Sequence, residues 1–521
     1  MSGKLLRSGL IVSAMTLISR VLGLVRDVVI ANLMGAGAAA DVFFFANKIP
    51  NFLRRLFAEG AFAQAFVPVL TEVHHSQTKQ QQREFIAKIS GTLGAIVFVV
   101  TVVGVIASPV ITALFGTGWF IDYLNDEPDG AKFELASTLL KITFPYLAFV
   151  TLVGVSGAVL NTLNRFAVAA FTPVLLNVSI IGSAIYLAPV FEQPAFALAW
   201  GVFLGGVVQL AFQIPFLWQA GCLVKPQWGW HHPQVVKVRQ LMIPALFGVS
   251  VSQINLLLDT FIASFLVTGS ISWLYYSDRL LEFPLGLFGI AIATVILPTL
   301  SRDHVSANTH GFARNMDWAV RMVCFLGIPA ATGLFVLAKP ILIVIFQRGE
   351  FSYQTAEMAS YSLMAYSTGL LSFMLVKVLA PGFFSRQDTK TPVKFGIWAM
   401  AANMLLNVIF AIPYGYVGLA IATSLSATLN AGLLYVALVK QGVFNLSRQT
   451  LVFIAKVVIA SATMAAFVLH QNTQNWQTMS EPQRVLELTY LIVGSAVVFI
   501  VASLIVGLRP WQLLQKAKPV T

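Results

Sequence analysis

The chain has 521 residues, of which 57% are hydrophobic and only 10% are charged, and its mean hydropathy is +0.80. The core of a water-soluble domain saturates well below this apolar content, so the composition excludes a soluble globular protein. The formal net charge of +12 comes from scattered loop residues and not from a basic run interleaved with stacking aromatics, so no nucleic-acid partner is expected.

Apolar runs recur along the whole chain, and each is long enough to cross the roughly 30 Å hydrocarbon core of a bilayer. They predict an all-α polytopic membrane protein with about fourteen transmembrane helices. The first run is too long and too charged for a cleaved signal peptide. The predicted helices are Gly9–Leu33, Val42–Val69, Ile89–Leu114, Leu135–Leu160, Ala170–Leu187, Ala195–Leu217, Leu241–Leu266, Trp273–Leu300, Trp318–Leu337, Ala359–Leu379, Val393–Ile412, Tyr416–Leu438, Leu451–Leu469 and Leu486–Val506.

The connecting loops predict the orientation. One alternate set of loops carries nineteen lysines and arginines, whereas the other carries four: Lys132, Lys339, Arg348 and Arg484. By the positive-inside rule the richer set is cytoplasmic, which places both termini in the cytoplasm. An even number of helices is consistent with that arrangement.

Two pairs of similar segments indicate an internal repeat. VLNTLNRFAVAAFTP, from Val159, resembles VLAPGFFSRQDTKTP, from Val378, and FVPVLTE, from Phe66, resembles ILPTLSR, from Ile296. The offsets are 219 and 230 residues, or about six helices. We therefore predict two six-helix lobes, residues 1–220 and 236–440, with two extra helices in 450–508. A binding site between such lobes lies near the membrane midplane.

Charged residues inside the apolar helices are the strongest functional signal, because an arginine in hydrocarbon costs at least a few kcal/mol. They lie in the first, second and eighth predicted helices. The cations are Arg20, Arg26, Lys48, Arg54, Arg55 and Arg279, and the acids are Asp27, Asp41, Glu59, Asp278 and Glu282.

Two interpretations of these charges are open. They could be structural ion pairs, since Arg279 and Glu282 are three residues apart on one helix. However, buried ion pairs are poor stabilisers, and arginine outnumbers lysine in the set. The planar guanidinium fork suits bidentate contacts with phosphate oxygens, which favours an anion receptor. Asn51 shares a helical face with Arg54, but periodicity alone does not choose between Arg54 and Arg55.

Several of these stretches together resemble one family. SRVLGLVRD, GAGAAADVFFFANKIPNFLRRLFAEGAFAQAFVPVL, SWLYYSDRLLEFPLGLFGIAIATVILPTLS and VKVLAPGFFSRQDTKTPVK are similar to the MurJ (MviN) family of bacterial lipid II flippases, within the multidrug/oligosaccharidyl-lipid/polysaccharide exporter superfamily. The resemblance runs essentially from end to end.

The resemblance implies a V-shaped pair of lobes that moves lipid II, a polyprenyl-pyrophosphate-linked peptidoglycan precursor, from the cytoplasmic to the periplasmic leaflet by alternating access. It also implies that the substrate arginines are Arg20, Arg26, Arg54 and Arg279, supported by Asp41 and Glu282. The predicted binding site also includes two polar residues, Asn51 and Ser272. It further includes three more acids: Asp27, Glu59 and Asp278. The two extra helices are expected to form a groove for the lipid tail, or else to pack only against membrane lipid.

A cation site is a separate hypothesis. Asp259 is an acid within an apolar helix, Asn403 and Asn407 share a face of the eleventh helix, and Thr423 lies on the twelfth. Oxygen ligands of this kind suit Na⁺. In part of the family, the equivalent helices hold sodium with an Asn-x-x-x-Asp pair where this chain has Asn-x-x-x-Asn. A protonated or hydrogen-bonded Asp259, with the membrane potential as the driving force, is the alternative.

Other functions fit the sequence less well. A drug exporter of the superfamily would need acids without an arginine cluster, whereas an exporter of another polyprenyl-linked oligosaccharide is chemically close. A membrane enzyme would need a nucleophile or metal-binding carboxylates at the membrane face, which the longest polar stretch does not offer. We expect a transporter of the bacterial cytoplasmic (inner) membrane without a resident cofactor, with lipid II as its substrate and cell-wall synthesis enzymes as candidate partners.

Overall fold

The described part of the chain is almost entirely helical and contains no β-strand. The computed structural model describes residues 3–56 and 61–508, and within these ranges it describes all side chains except those of 3–13, 61, 247–253 and 290. The predicted site residue Glu59 therefore lies outside the described residues.

The helices up to the middle of the chain are α1 (Gly3–Met34), α2 (Ala38–Arg54), α3 (Ala61–Ser76), α4 (Lys79–Ile106), α5 (Ser108–Phe115), α6 (Thr117–Leu124), α7 (Ala131–Thr143), α8 (Tyr146–Thr162), α9 (Phe166–Tyr186), α10 (Pro194–Gln219) and α11 (Pro233–Ala263). The helices that follow are α12 (Ser270–Pro284), α13 (Ile290–Val305), α14 (Thr309–Val336), α15 (Ala338–Phe346), α16 (Tyr353–Leu379), α17 (Pro381–Phe384), α18 (Lys390–Lys440), α19 (Arg448–Gln471) and α20 (Glu481–Ile505). A π-helical turn, Leu285–Gly289, joins α12 to α13.

Ten helical segments of the described chain are long and apolar enough to cross a membrane. One of them, α18, contains two predicted spans. The remaining predicted spans coincide with α1, with α2 and α3 together, and with α11. The prediction of a polytopic all-α membrane protein is therefore confirmed.

The helix α18 is a hairpin of two antiparallel helices rather than one rod. The Ser426 hydroxyl donates a 2.6 Å hydrogen bond to the carbonyl of Ala399, although residues 27 positions apart on a straight helix would be about 40 Å apart. The chain reverses at Gly415, whose φ of 54° and ψ of −133° are non-helical. This is a backbone conformation that essentially only glycine adopts without strain.

The chain forms two compact units, which we describe separately. The first consists of Met1–Ser272 with Arg348–Glu350, and the second consists of Trp273–Gln347 with Phe351–Thr521. In the first unit, α9 packs against both α1 and α10. Small residues allow this close approach, since a Cβ at Gly201 of α10 would lie 2.9 Å from the Ser183 side chain of α9.

Helix α11 makes polar bonds to earlier helices within the first unit. Its Lys237 pairs with Glu72 of α3 at 2.6 Å, and its Thr260 accepts a 3.1 Å hydrogen bond from Lys48 of α2. The repeat assigns this helix to the predicted C-terminal lobe, and that assignment stays a prediction.

In the second unit, the C-terminal helix pair is fastened to α14. Arg321 of α14 pairs with Asp317 at 2.8 Å and donates a 2.8 Å hydrogen bond to Thr450 of α19. The Thr450 hydroxyl in turn donates to Asp317. Farther along the pair, an apolar cluster is formed by Val457, Ala460, Met464, Phe499, Ala502 and Leu508. The pair is thus held by the hydrogen bonds and the ion pair among Arg321, Asp317 and Thr450 near the start of α19, and by apolar packing farther along.

The hairpin gives a stability prediction. Gly415→Ala should lower the free energy of unfolding by about 1–3 kcal/mol, because a Cβ disfavours this left-handed conformation. Gly396→Ala, in a helical stretch of the same element with open space for a Cβ, is the control and should be neutral or slightly stabilising. Thermal unfolding in detergent measures both. Equal stability of the two variants would contradict a chain reversal that requires glycine.

Candidate functional site

The Arg26 guanidinium on α1 is held by a carboxylate and an amide. Its Nε and Nη2 donate to one carboxylate oxygen of Asp27 at 3.0 and 2.7 Å, and its Nη1 donates to the side-chain oxygen of Asn177 on α9 at 3.0 Å. Asp27 is buried. Burial in low dielectric makes such a charge pair costly unless hydrogen bonds satisfy both members, and here both members are engaged.

Asn177 is a site residue that the sequence analysis did not identify. Its amide nitrogen donates to the backbone carbonyl of Ser19 at 3.1 Å while its oxygen accepts from Arg26. The side chain therefore joins α9 to two points on α1 and fixes the guanidinium between them. The available signal was a lone amide within the apolar run Ala170–Leu187, because a buried amide needs hydrogen-bonding partners.

Arg20 has different surroundings. Its side chain is exposed and lines a cavity of about 380 Å³ between α1 and α9. Among the described residues, no hydrogen bond or ion pair to its guanidinium is found. The lining consists of Thr16, Ser19, Arg20, Asn161, Phe166, Ala169, Ala170 and Pro173. Arg20 is thus a cation without a protein counter-charge in the described structure, at the wall of a space large enough for a ligand.

On α2, polar side chains form a ladder along one face. The Asn51 amide donates to the Asn47 carbonyl at 2.8 Å, and the Arg54 Nε donates to the Asn51 side-chain oxygen at 3.1 Å. Arg54 is partly buried, whereas the neighbouring Arg55 is exposed. Periodicity left these two arginines undecided; the ladder places Arg54 beside Asn51, as the shared helical face predicts.

Asp41, at the start of α2, binds the N-terminus of α12. One carboxylate oxygen accepts from the Gly269 amide at 2.6 Å, and the other accepts from the Ser272 amide and hydroxyl at 2.8 and 2.6 Å. Asp41 and Ser272 are both buried. An anion here is stabilised by the free amide groups and the dipole at a helix N-terminus. A predicted supporting acid and a predicted substrate residue therefore bind each other.

The loop before α12 is anchored at a second point. The buried Lys132 ammonium donates to the Thr268 hydroxyl at 2.5 Å and pairs with Asp129 at 2.7 Å. Gly118 also donates its amide to the Ser264 hydroxyl at 3.0 Å. All of these residues belong to the first unit. The connection from α11 to α12 is therefore fixed at several positions and not free to move without breaking bonds.

Arg279, in the second unit, has local partners on α12. Its Nη1 pairs with Glu282 at 3.0 Å, its Nε donates to the Tyr275 hydroxyl at 3.3 Å, and its guanidinium lies 5.1 Å from the Tyr275 ring centre. Arg279 and Glu282 are partly exposed, and Asp278 is exposed. The predicted i, i+3 pair is present, and because it is partly exposed its contribution to stability is small.

The candidate cation ligands of the second unit lie together. Asn407 donates to the Asn403 side-chain oxygen at 3.0 Å, and Asn403 donates to the Thr423 hydroxyl at 3.4 Å. Asn403 and Asn407 are fully buried. Asp259, on α11, belongs to the first unit. In the described part of the chain, no three His, Cys, Asp or Glu residues are grouped as metal ligands.

Comparisons with known proteins identify similar chains. The family model described as "Lipid II flippase MurJ" matches residues 30–487. The probable lipid II flippase MurJ of Vibrio cholerae is 66% identical over 510 residues, covering 98% of this chain and 97% of the relative. The probable lipid II flippase MurJ of Haemophilus influenzae is 60% identical, covering 96% of this chain and all of the relative.

Solved structures are similar as well. The structure of a lipid II flippase MurJ in an inward closed conformation has a TM-score of 0.79 and 26% identity, covering 95% of this chain and 98% of that one. An inward-facing multidrug transporter of the MATE family in the MOP superfamily has a TM-score of 0.66, with 12% identity, and covers 83% of this chain and 97% of that one. At that identity, the second likeness shows the fold alone.

The Asp41 site gives a second stability prediction. Asp41→Asn should lower the free energy of unfolding by about 2–4 kcal/mol, because the amide nitrogen turns one acceptor of a buried, charge-assisted set into a donor. Ser272→Ala removes one bond to the same carboxylate and should cost about 1 kcal/mol. The control is Asp126→Asn, on an exposed turn with φ of 54°, where no loss is expected. Denaturation of the three purified variants tests this, and a stable Asp41→Asn protein would contradict it.

Proposed function

The chain belongs to the MurJ family of lipid II flippases, and on that premise we propose that Arg20, Arg26, Arg54 and Arg279 bind the pyrophosphate of lipid II during transport. The protein is a transporter and not an enzyme. Its substrate has an anionic pyrophosphate and a polar head group, which cannot cross the hydrocarbon core of the membrane unaided. The polyprenyl tail of the substrate can stay in the hydrocarbon core throughout. A polar passage with fixed cations meets both requirements.

The observation that carries the proposal is the difference between Arg20 and Arg26. Arg26 is held in place by Asp27 and Asn177, whereas Arg20 lines an open cavity without an ion pair to any described residue. Arg20 therefore has its bidentate donor fork available for the oxygens of a pyrophosphate, whereas Arg26 is a positioned cation on the same helix. Structural pairing alone accounts for Arg26 but does not account for Arg20, which has no ion-pair partner among the described residues.

The other predicted site residues have supporting roles in this proposal. Asn51 orients Arg54, and Glu282 orients Arg279 together with Tyr275. Asp41 and Ser272 do not need to touch the substrate, because they already bind each other. Their role is to hold the start of α12 in one state of the cycle and to release it in another, as alternating access requires.

Orientation and location follow from the loop charges. We place the protein in the bacterial cytoplasmic membrane, with both termini in the cytoplasm, because the basic residues collect in one alternate set of loops. Transport then runs from the cytoplasmic to the periplasmic leaflet and supplies cell-wall synthesis. Enzymes that make or consume lipid II are the natural partners. Exposed apolar side chains of α19 and α20, including Val458, Ile459 and Val497, offer a surface for its tail.

The driving force combines the membrane potential with the charge of the site. The potential supplies about 2.3 kcal/mol per elementary charge per 100 mV, which biases the return of an empty cationic site. Asn403, Asn407 and Thr423 supply neutral oxygens that fit Na⁺, with Asp259 as the candidate acid. However, the two asparagines bind each other, so sodium would replace an existing bond. We therefore assign the larger role to the potential.

The arginine proposal predicts a loss of function. Alanine at Arg20, Arg26, Arg54 or Arg279 should abolish growth in cells depleted of their own flippase, at near-normal protein levels. Lysine should rescue poorly because the bidentate fork is lost. Arg55→Ala is the matched control, since Arg55 is adjacent to Arg54 and exposed, and it should support growth. Growth of all four alanine variants would leave ion-pair packing as the explanation.

The energetic proposal predicts two separable effects. Collapse of the membrane potential should slow flipping at least about tenfold, because 2.3 kcal/mol corresponds to roughly fifty-fold in an equilibrium. Asp259→Asn should slow it only partly. The measurement is lipid II flipping in cells or vesicles with and without a potential. An unchanged rate without a potential would refute this account, and a fully inactive Asp259→Asn variant would instead indicate obligatory cation coupling.

A further inference from the structure

The cavity between α1 and α9 has two chemically different walls. Arg20, Ser19 and Asn161 supply charged and polar groups, while Phe166, Ala169 and Pro173 supply apolar surface. Its volume of about 380 Å³ is within the range of small-molecule sites. A purely apolar acyl chain would leave the polar wall unsatisfied, and a bare phosphate would leave the apolar wall empty. The ligand that fits both walls is amphipathic.

We propose that this cavity binds the sugar ring attached directly to the pyrophosphate of lipid II, with Asn161 and Phe166 as specificity-determining residues. This inference rests on the proposed function, because Arg20 must hold the adjoining phosphate. A pyranose has polar edges, with hydroxyl and amide groups, and a face of C–H groups. Polar edges need hydrogen-bonding side chains, and the C–H face needs an apolar or aromatic surface.

Asn161 is placed for the polar edge. It lies at the C-terminal end of α8, its side chain is exposed, and no described residue forms a hydrogen bond with its side-chain amide. The amide offers both donors and an acceptor, as a sugar hydroxyl or acetamido group requires. Because Arg20 lines the same cavity, a phosphate on Arg20 places the attached ring within this space.

Phe166 is placed for the apolar face. It is the first residue of α9 and shares the cavity wall with Ala169, Ala170 and Pro173. The small neighbouring side chains leave the aromatic ring as the largest apolar surface of that wall. Phe171, on the same helix, is a matched control: it does not line the cavity and packs against Phe212 instead, with ring centres 5.5 Å apart.

The test compares two lipids that share a pyrophosphate and a tail. Binding of lipid II and of sugar-free polyprenyl pyrophosphate is measured on the purified full-length protein. Asn161→Ala and Phe166→Leu should each weaken lipid II binding about 3- to 10-fold, as expected for one lost hydrogen bond or packing contact. Both should leave binding of polyprenyl pyrophosphate within about twofold. Phe171→Leu should change neither affinity, and Phe166→Trp, which keeps an aromatic face, should retain lipid II binding.

The outcomes separate this inference from the proposed function. Arg20→Ala should weaken both lipids, and unchanged binding of both would refute the role of Arg20 as a phosphate ligand. If Arg20→Ala weakens both lipids while Asn161→Ala and Phe166→Leu change neither lipid, or both lipids equally, the sugar site is refuted and the phosphate site stands. Unfolding temperatures of the variants exclude misfolding as the cause, and the Phe166→Trp variant supports or refutes the stacking contact independently.

Discussion

An ionised guanidinium group that is buried within an apolar helix needs polar partners, and this requirement organises the packing around the arginines of α1, α2 and α12. At Arg26 it is met by a neighbouring carboxylate and by an amide from another helix. Asn177 then reaches back to the α1 backbone, so satisfying one charge also fixes how α1 and α9 pack. The same requirement accounts for the Asn51–Arg54 ladder and for the Glu282 and Tyr275 contacts of Arg279. The hydrogen bonds that compensate these charges therefore also determine how the helices pack.

Arg20 differs from these arginines, because no described residue compensates its charge. A cation that is paired by its own protein can stabilise the fold while contributing nothing to transport. Arg20 is instead exposed at a cavity wall, and no described residue neutralises its charge, so its guanidinium is available to an anion. Such a cation suits a transporter that binds and releases its substrate, because a fully neutralised site would have little affinity for a pyrophosphate. The two interpretations of the buried charges are therefore compatible: in the proposed function the paired arginines serve both packing and binding, whereas Arg20 serves binding alone.

The sequence predicted well what depends on local chemistry. Apolar runs of bilayer length predicted a polytopic all-α membrane protein, and they cover the ten segments of the described chain that are long and apolar enough to cross a membrane. The orientation indicated by the loop charges stays a prediction. Family resemblance selected Arg54, which the structure places beside Asn51. The partners of these residues could not be predicted. Asn177 lies 151 positions from Arg26, and Ser272 lies 231 positions from Asp41, so each pairing depends on helix packing that periodicity does not encode. The reversal at Gly415 was predicted only as a gap between two spans.

The measurement that tests the central claim most directly is the leaflet distribution of lipid II in cells that carry the Arg20→Ala variant while their own flippase is being depleted, compared with the same cells carrying wild type or Arg55→Ala. If Arg20 binds the pyrophosphate during transport, lipid II should accumulate in the cytoplasmic leaflet of the Arg20→Ala cells while the other two strains expose it normally. Normal exposure of lipid II in the periplasmic leaflet of the Arg20→Ala cells, at equal protein level, would contradict the account.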